Sequence, residues 1–108
     1  MKFKSKYEQD ILCVCEYDDG PSVYGFNQHD QDYLAVKQGE TEEGSTWLCV
    51  PLEQKDKPKF DAYTEGQLSL SDLIGHRTGF IVEFDEEGEQ INETKVDNIL
   101  PEMIVLPV

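Results

Sequence analysis

Apolar residues follow two different spacings between Trp47 and Phe84, and the rest of the pattern is organised around that stretch. Residues 46–52 form a nearly continuous apolar run with β-branched and aromatic side chains, which predicts a strand covered on both faces near the middle of a sheet. From Pro58 onward the apolar positions fit short helical faces better than alternation. Residues 79–84 return to a period of two, which predicts a second strand.

The helical passage contains its own start and stop signals. Pro58 suits a first helical turn because its missing N–H would be unpaired there, so a helix is predicted over residues 58–65 and is ended by Gly66. A single further helical turn is expected, with Ser69 or Ser71 as its cap and Gly75 at its end. These helices are expected to cover the sheet.

Four further strands are predicted at residues 11–17, 22–26, 33–37 and 90–96. The predicted connections are a turn at 18–21, a polar turn at 29–32, a loop at 38–45 and an acidic tip at 85–89. Residues 1–10 form a polar lead-in from which Phe3 and Tyr7 could dock on the core, and Gly25 marks a bulge or a close backbone approach. A helical turn at 98–103 and an edge strand at 104–106 complete the pattern. We therefore expect a single α+β domain over residues 1–108, with a mainly antiparallel twisted sheet of five or six strands and one or two short helices covering one face.

Three segments resemble a family of small, uncharacterised bacterial α+β domains, a domain of unknown function. They are Tyr33-Leu34-Ala35-Val36, Trp47-Leu48-Cys49-Val50-Pro51-Leu52 and Gly66-Gln67-Leu68-Ser69-Leu70-Ser71-Asp72-Leu73-Ile74. The resemblance covers residues 11–106 and implies an α+β fold. It carries over no catalytic residues.

Charge is the strongest compositional feature, with 23 acidic and 9 basic residues and a net charge of −14. Direct binding to nucleic acids or anionic membranes is disfavoured, because phosphate contacts need clustered cations. A basic protein is the expected partner, and a nucleic-acid-binding protein is one such possibility. Exposed carboxylates could imitate the field of a nucleic-acid backbone and steer association with a cationic groove.

The residues predicted to bind a partner are the carboxylates of the turns and strand ends, with tyrosines as anchors, although the alternative interpretation places at least two of the tyrosines at the margins of the core. They are Asp18, Asp19, Asp30, Asp32, Glu40, Glu42, Glu43, Glu83, Asp85, Glu86, Glu87, Glu89, Tyr17, Tyr24 and Tyr33. The leading hypothesis is a non-catalytic, acidic protein-binding module, such as an inhibitor or immunity-type protein that occupies a basic surface. The alternatives are a structural or accessory subunit whose acidity serves solubility, and a metal-binding or small-ligand-binding domain.

A calcium loop is the first metal hypothesis. Glu83, Asp85, Glu87 and Gly88 resemble the opening of an EF-hand loop, but its twelfth position falls on Thr94 and its flanks read as strands. The commoner interpretation is a solvated turn that protects a sheet edge. We expect no metal or cofactor.

The three cysteines, Cys13, Cys15 and Cys49, are expected to be free thiols that pack in the core. Together with a histidine they could hold zinc, although a C-x-C spacing on a strand is unusual for such a site. A catalytic arrangement of Cys49 with His76 and Asp72 has no supporting spacing, so no enzyme activity is expected. The chain shows neither a signal-peptide pattern nor a membrane-length apolar run, and a cytoplasmic location is expected.

Overall fold

The computed structural model describes residue 3 and residues 8–17 and 20–104. Within these residues the chain forms six strands, two α-helices and two short 3₁₀ turns. In chain order they are β1 (Asp10–Tyr17), β2 (Pro21–Gln28), β3 (Gln31–Thr41), β4 (Gly44–Leu52), a 3₁₀ turn (Gln54–Asp56), α1 (Lys57–Thr64), α2 (Leu70–Ile74), β5 (Gly79–Asp85), β6 (Gln90–Val96) and a second 3₁₀ turn (Pro101–Met103).

The strands lie in one sheet in their sequence order, from β1 to β6. Each neighbouring pair is antiparallel. The prediction of an α+β class, with a mainly antiparallel sheet of five or six strands and one or two short helices, is confirmed. Of the helices that the structure describes, none is long and apolar enough to cross a membrane.

Local residue chemistry explains where the helices begin and end. Pro58 lies in the first turn of α1, which starts one residue earlier than predicted, and Gly66 follows its end with a φ of 78°. Ser69 caps α2 because its Oγ accepts a hydrogen bond from the Asp72 N–H at 3.1 Å. Gly75 ends α2 as predicted.

Buried side chains form two clusters that take alternate positions along the strands. The first is rich in aromatic rings and contains Phe3, Tyr24, Phe26, Tyr33, Ala35, Trp47, Cys49, Val82 and Phe84. The second joins strand residues to the helices and contains Val23, Leu34, Val36, Leu48, Val50, Leu70, Leu73, Ile74 and Ile99. β4 contributes to both clusters and lies between β3 and β5, so the prediction of a central strand buried on both faces is confirmed.

Phe3 anchors the start of the chain in the first cluster. Its ring centroid lies 5.3 Å from that of Tyr33 and 6.1 Å from that of Phe26, both edge to face. Its backbone N–H donates to Gln90 Oε1 at 2.6 Å. The expected docking of Phe3 is confirmed, whereas Tyr7 lies outside the described residues.

Two predicted boundaries are wrong. Residues 38–45 were expected to form a loop, but β3 continues to Thr41 and β4 begins at Gly44, with Glu40 opposite Ser45. Residues with solvated side chains can still pair through their backbones at the end of a sheet. The hydrophobic pattern does not detect such pairing, because these residues bury no apolar side chain. Ile104 lies outside the strands and its N–H donates to Pro101 O in a turn, while residues 105 and 106 of the predicted last strand lie outside the described residues.

The bulge interpretation of Gly25 is confirmed, with the extra residue on the neighbouring strand. The β1–β2 register shifts between Ile11 and Cys13, opposite Phe26 and Gly25, whereas the β2–β3 pairing around Gly25 is regular. A Cβ at Gly25 would lie 3.2 Å from Cys13 Sγ. The glycine therefore makes room for a side chain of the neighbouring strand.

Candidate functional site

An antiparallel meander brings every second turn to the same end of its sheet. β4 pairs with β5 so that Gly44 lies opposite Asp85, which places the β3–β4 turn beside the β5–β6 turn. We call the carboxylates on or beside these two turns the acidic end. They are Glu40, Glu42, Glu43, Glu83, Asp85, Glu86, Glu87 and Glu89. Glu83 and Asp85 are half-buried and the others are exposed.

Asp85 organises the β5–β6 turn. Its Oδ1 accepts hydrogen bonds from the backbone N–H groups of Glu87 at 2.9 Å and Glu89 at 3.0 Å. Gly88 takes a φ of 83°, a conformation that glycine adopts without a steric cost. The Asp85 carboxylate therefore fixes the backbone of a turn whose neighbouring acidic side chains remain exposed.

Gly44 fixes the position of the β3–β4 turn against β5. Its φ is 153°, and a Cβ at this position would lie 2.0 Å from the carbonyl oxygen of Phe84. Glu43 supports the same turn, because its N–H donates to Thr41 Oγ1 at 3.2 Å. The close approach at Gly44 holds the two acidic turns in a fixed relation to one another.

The surface between the two turns is negatively charged and partly apolar. Glu40, Glu43 and Glu83 line a groove of about 250 Å³, together with the exposed side chain of Ile91. Lys37 forms an ion pair with Glu40, and its Nζ lies 6.0 Å from the centre of the Trp47 ring. The eight carboxylates of the acidic end outnumber this lysine and give the surface a strong excess of negative charge.

Two of the other predicted carboxylates lie away from the acidic end. Asp30 and Asp32 lie at the opposite end of β3, where Asp32 Oδ1 accepts a hydrogen bond from Asn27 Nδ2 at 2.8 Å. β3 has 11 residues, so the two ends of the sheet are separated by roughly 30 Å, well beyond the Debye length at physiological salt. Asp18 and Asp19 lie outside the described residues.

The three predicted tyrosine anchors occupy different environments. Tyr17 is 75% exposed on β1, whereas Tyr24 and Tyr33 are 3% and 4% exposed in the first cluster. Tyr24 Oη donates to Gln9 Oε1, and the Tyr33 ring stacks on Phe26 with a centroid distance of 5.3 Å. Burial raises the pKa of Tyr24 and of Tyr33. The structure thus leaves Tyr17 as the exposed member of the set and places the other two in the core.

The candidate nucleophile and its partners lie in different environments. Cys49 is buried in the first cluster, and burial raises the pKa of its thiol. His76 is exposed, with Nδ1 3.1 Å from Asn98 Oδ1, and Asp72 is exposed on α2. A buried, protonated thiol is a poor nucleophile.

The cysteines of the described chain are free, as expected. Cys13 and Cys15 are half-buried with their Sγ atoms 4.0 Å apart, and burial raises the pKa of Cys15 to about 12. Among the described residues, His, Cys, Asp and Glu side chains form no group of three or more that could hold a metal ion. The carboxylate of Asp85, which the calcium hypothesis used, instead accepts hydrogen bonds within its turn.

Sequence reasoning missed an open groove at the end of the sheet opposite the acidic end. The groove has a volume of about 630 Å³ and lies between β1, the β2–β3 turn and the residues that lead into α1. Gly25, the bulge residues opposite it and the first residues of α1 line the groove, and the sequence signal that could have indicated it was the bulge interpretation of Gly25. The sequence pattern also gave no sign of an ion pair beside this groove, in which Asp56 Oδ2 accepts a hydrogen bond from Arg77 Nη2 at 2.6 Å.

No family model, curated protein or solved structure matches this chain. The family resemblance therefore stays a prediction, and function is argued from the geometry of the chain itself.

Proposed function

We propose that this protein is a non-catalytic, acidic protein-binding module whose acidic end contacts a cationic surface of a partner protein. The partner class we infer is a basic, nucleic-acid-binding protein, with this chain acting as an inhibitor or immunity-type protein. The observation that carries the proposal is the pairing of Gly44 with Asp85, because it gathers eight carboxylates from two hairpins at one end of the sheet.

The charge arrangement supports this role through long-range attraction. Surfaces that bind nucleic acid carry clustered lysine and arginine side chains to neutralise phosphates. A fixed set of carboxylates on two adjoining turns offers such a surface an alternative set of counter-charges. Attraction of this kind raises association rates by about 10- to 1,000-fold and weakens as salt is added.

The position of the helices is compatible with the proposed contact. α1 and α2 connect the end of β4 to the start of β5, which lie at the sheet end away from the acidic turns. We also propose that the sheet is twisted and that these helices cover one of its faces. The hairpin tips then remain open to a partner. A cytoplasmic location is proposed as well, and the free thiols of the described cysteines support a reducing compartment.

The test compares two variants with the same change in net charge. The first neutralises the acidic end through Glu42→Gln, Glu43→Gln, Glu86→Gln and Glu87→Gln. The control neutralises four exposed carboxylates elsewhere through Glu8→Gln, Asp61→Asn, Glu65→Gln and Glu102→Gln. Poly-L-lysine is the cationic probe, and its affinity is measured by isothermal titration calorimetry at low salt. We expect binding to weaken about tenfold in the acidic-end variant and by no more than about twofold in the control.

Affinity capture from a host lysate then tests the biological partner. A partner that contacts the acidic end is retained at low salt and lost at about 0.5 M salt, where the Debye length is roughly 4 Å. Equal loss of poly-L-lysine affinity in the two charge-matched variants would contradict the proposal. That result would favour the alternative in which the carboxylates only keep the protein hydrated.

A further inference from the structure

Exposed apolar side chains concentrate on β1, the first strand in the sheet order. Six large hydrophobic side chains are exposed among the described residues, and four of them belong to this strand. They are Ile11, Leu12, Val14 and Tyr17, which are 51%, 56%, 48% and 75% exposed. An edge strand with such side chains is a surface suited to protein contact.

One of these side chains, Leu12, lines the open groove of about 630 Å³. The β1–β2 register shifts between Ile11 and Cys13, so Leu12 is an extra residue, and both Leu12 and Cys13 line the groove. Leu52 and Phe60 supply further apolar lining. The volume lies within the range of about 300–1,000 Å³ that is usual for ligand-binding clefts.

The polar lining of this groove is mainly anionic. Asp30, Asp32 and Glu53 line it together with Lys57. Asp56 lines it too, but its carboxylate already forms an ion pair with Arg77, as that of Glu53 does with Lys55. Asp30 and Asp32 are the carboxylates that make the groove complementary to a cationic group, and an arginine can bind carboxylates through two parallel hydrogen bonds.

We propose that this groove binds an extended peptide segment of a partner protein, with an arginine or lysine side chain between its carboxylates and apolar side chains against Leu12 and Phe60. Of the exposed apolar residues of β1, Leu12 is the one that lines the groove. A second copy of this chain is a poor occupant, because each copy carries a net charge of −14. The groove and the acidic end lie at opposite ends of the sheet, so this inference does not depend on the function proposed above.

The probe is a phage-displayed library of random linear peptides selected against the full chain. We expect the enriched peptides to carry arginine or lysine flanked by apolar residues. The best of them is then synthesised, and its affinity is measured by fluorescence anisotropy. Replacing its cationic residue by glutamine should weaken binding about tenfold or more, as for loss of a charge-assisted contact.

Two pairs of protein variants locate the peptide. Leu12→Ser and the double variant Asp30→Asn/Asp32→Asn alter the groove, and asparagine tolerates the φ of 62° at position 30. Ile91→Ser and Glu42→Gln/Glu43→Gln are the controls. They make changes of the same kind at exposed positions that do not line the groove of about 630 Å³. We expect affinity to fall about tenfold in each groove variant and to stay within about twofold in each control.

Trp47 fluorescence during thermal unfolding shows whether each variant is folded, and if Leu12→Ser is not, the Asp30/Asp32 pair decides the outcome. The inference is overturned if no peptide is enriched, if the enriched peptides lack cationic residues, or if the groove variants bind as tightly as the wild type. It is equally overturned if Glu42→Gln/Glu43→Gln abolishes peptide binding, since the peptide then occupies the acidic end.

Discussion

The ion pair between Asp56 and Arg77 should be one of the larger single contributions to stability outside the two clusters. Asp56 is 8% exposed, and its Oδ2 accepts hydrogen bonds from Arg77 Nη2 at 2.6 Å and from the Glu53 N–H at 2.8 Å. Arg77 donates to Pro51 O as well, at 3.3 Å. These contacts join the end of β4 to the residues just before β5. They therefore tie together the two ends of the segment that contains α1 and α2.

The size of the effect follows from the groups that Asp56→Ala would leave behind. A hydrogen bond to a charged group contributes about 1.5–3 kcal/mol and a neutral one about 1 kcal/mol. Arg77 would also remain partly buried without its counter-ion. The free-energy cost of that unpaired charge approaches the cost of breaking a buried ion pair. We therefore expect a loss of about 3 kcal/mol in the free energy of unfolding, or roughly 12 °C in Tm for a chain of this size.

The assay is urea and thermal unfolding followed by the fluorescence of Trp47, the single tryptophan, which is 1% exposed. Asp61→Ala is the control, because Asp61 is an exposed carboxylate on the neighbouring helix α1. A loss in Asp56→Ala no larger than that in Asp61→Ala would refute the reasoning.

The same pair makes stability depend on pH. Burial opposes the charge on Asp56, but the hydrogen bonds from Arg77 and from the Glu53 backbone and the charge of Arg77 outweigh it, so the pKa of Asp56 is lowered. The stabilisation is therefore fully present above the unfolded-state pKa of about 4 and is lost as pH falls through the lower folded-state value. In Asp56→Asn this loss on acidification should be smaller than in the wild type, and identical acid profiles of Tm would contradict the assignment.

Three further predictions follow from side-chain burial and backbone geometry. Alkylation by iodoacetamide in the native state, read by mass spectrometry, should modify the half-buried, groove-lining Cys13 well before the buried Cys49 with its raised pKa, and equal rates would be inconsistent with the fold. Gly44→Ala should lower Tm far more than Gly39→Ala, because an added Cβ at position 44 meets a β5 carbonyl oxygen at 2.0 Å whereas position 39 is open, and similar Tm values would exclude the close approach. Phe3→Ala should cost about 3 kcal/mol of unfolding free energy in urea titrations, since the ring is 1% exposed, and a cost below about 1 kcal/mol would show that it does not dock.

The hydrophobic pattern predicted most of the sheet because each central strand carries either a continuous apolar run or apolar residues at every second position. β4 was identified as a doubly covered strand from its continuous apolar run, and β6 from weak alternation between two turns. The polar end of β3 was missed, since residues such as Glu40 pair through their backbones and leave no apolar signal.

The candidate site was predictable in composition but not in arrangement. The sequence indicated which carboxylates lie on turns, yet only the register of β4 against β5 shows that two of these turns adjoin and that Asp30 and Asp32 lie elsewhere. Tyr24 and Tyr33 could not be assigned to core or surface from alternation alone, because tyrosine suits either environment. The groove beside β1 depends on a bulge and on helix position, which no local pattern encodes.

Mapping the contact surface tests the central claim most directly. Backbone amide shifts of the ¹⁵N-labelled chain would be recorded by NMR during titration with poly-L-lysine at low salt. If the acidic end is a recognition surface, the largest changes fall on residues 40–44 and 83–89 and disappear as salt is added. Changes of equal size around other exposed carboxylates, such as Asp61 and Glu65, would show that the negative charge has no preferred contact face.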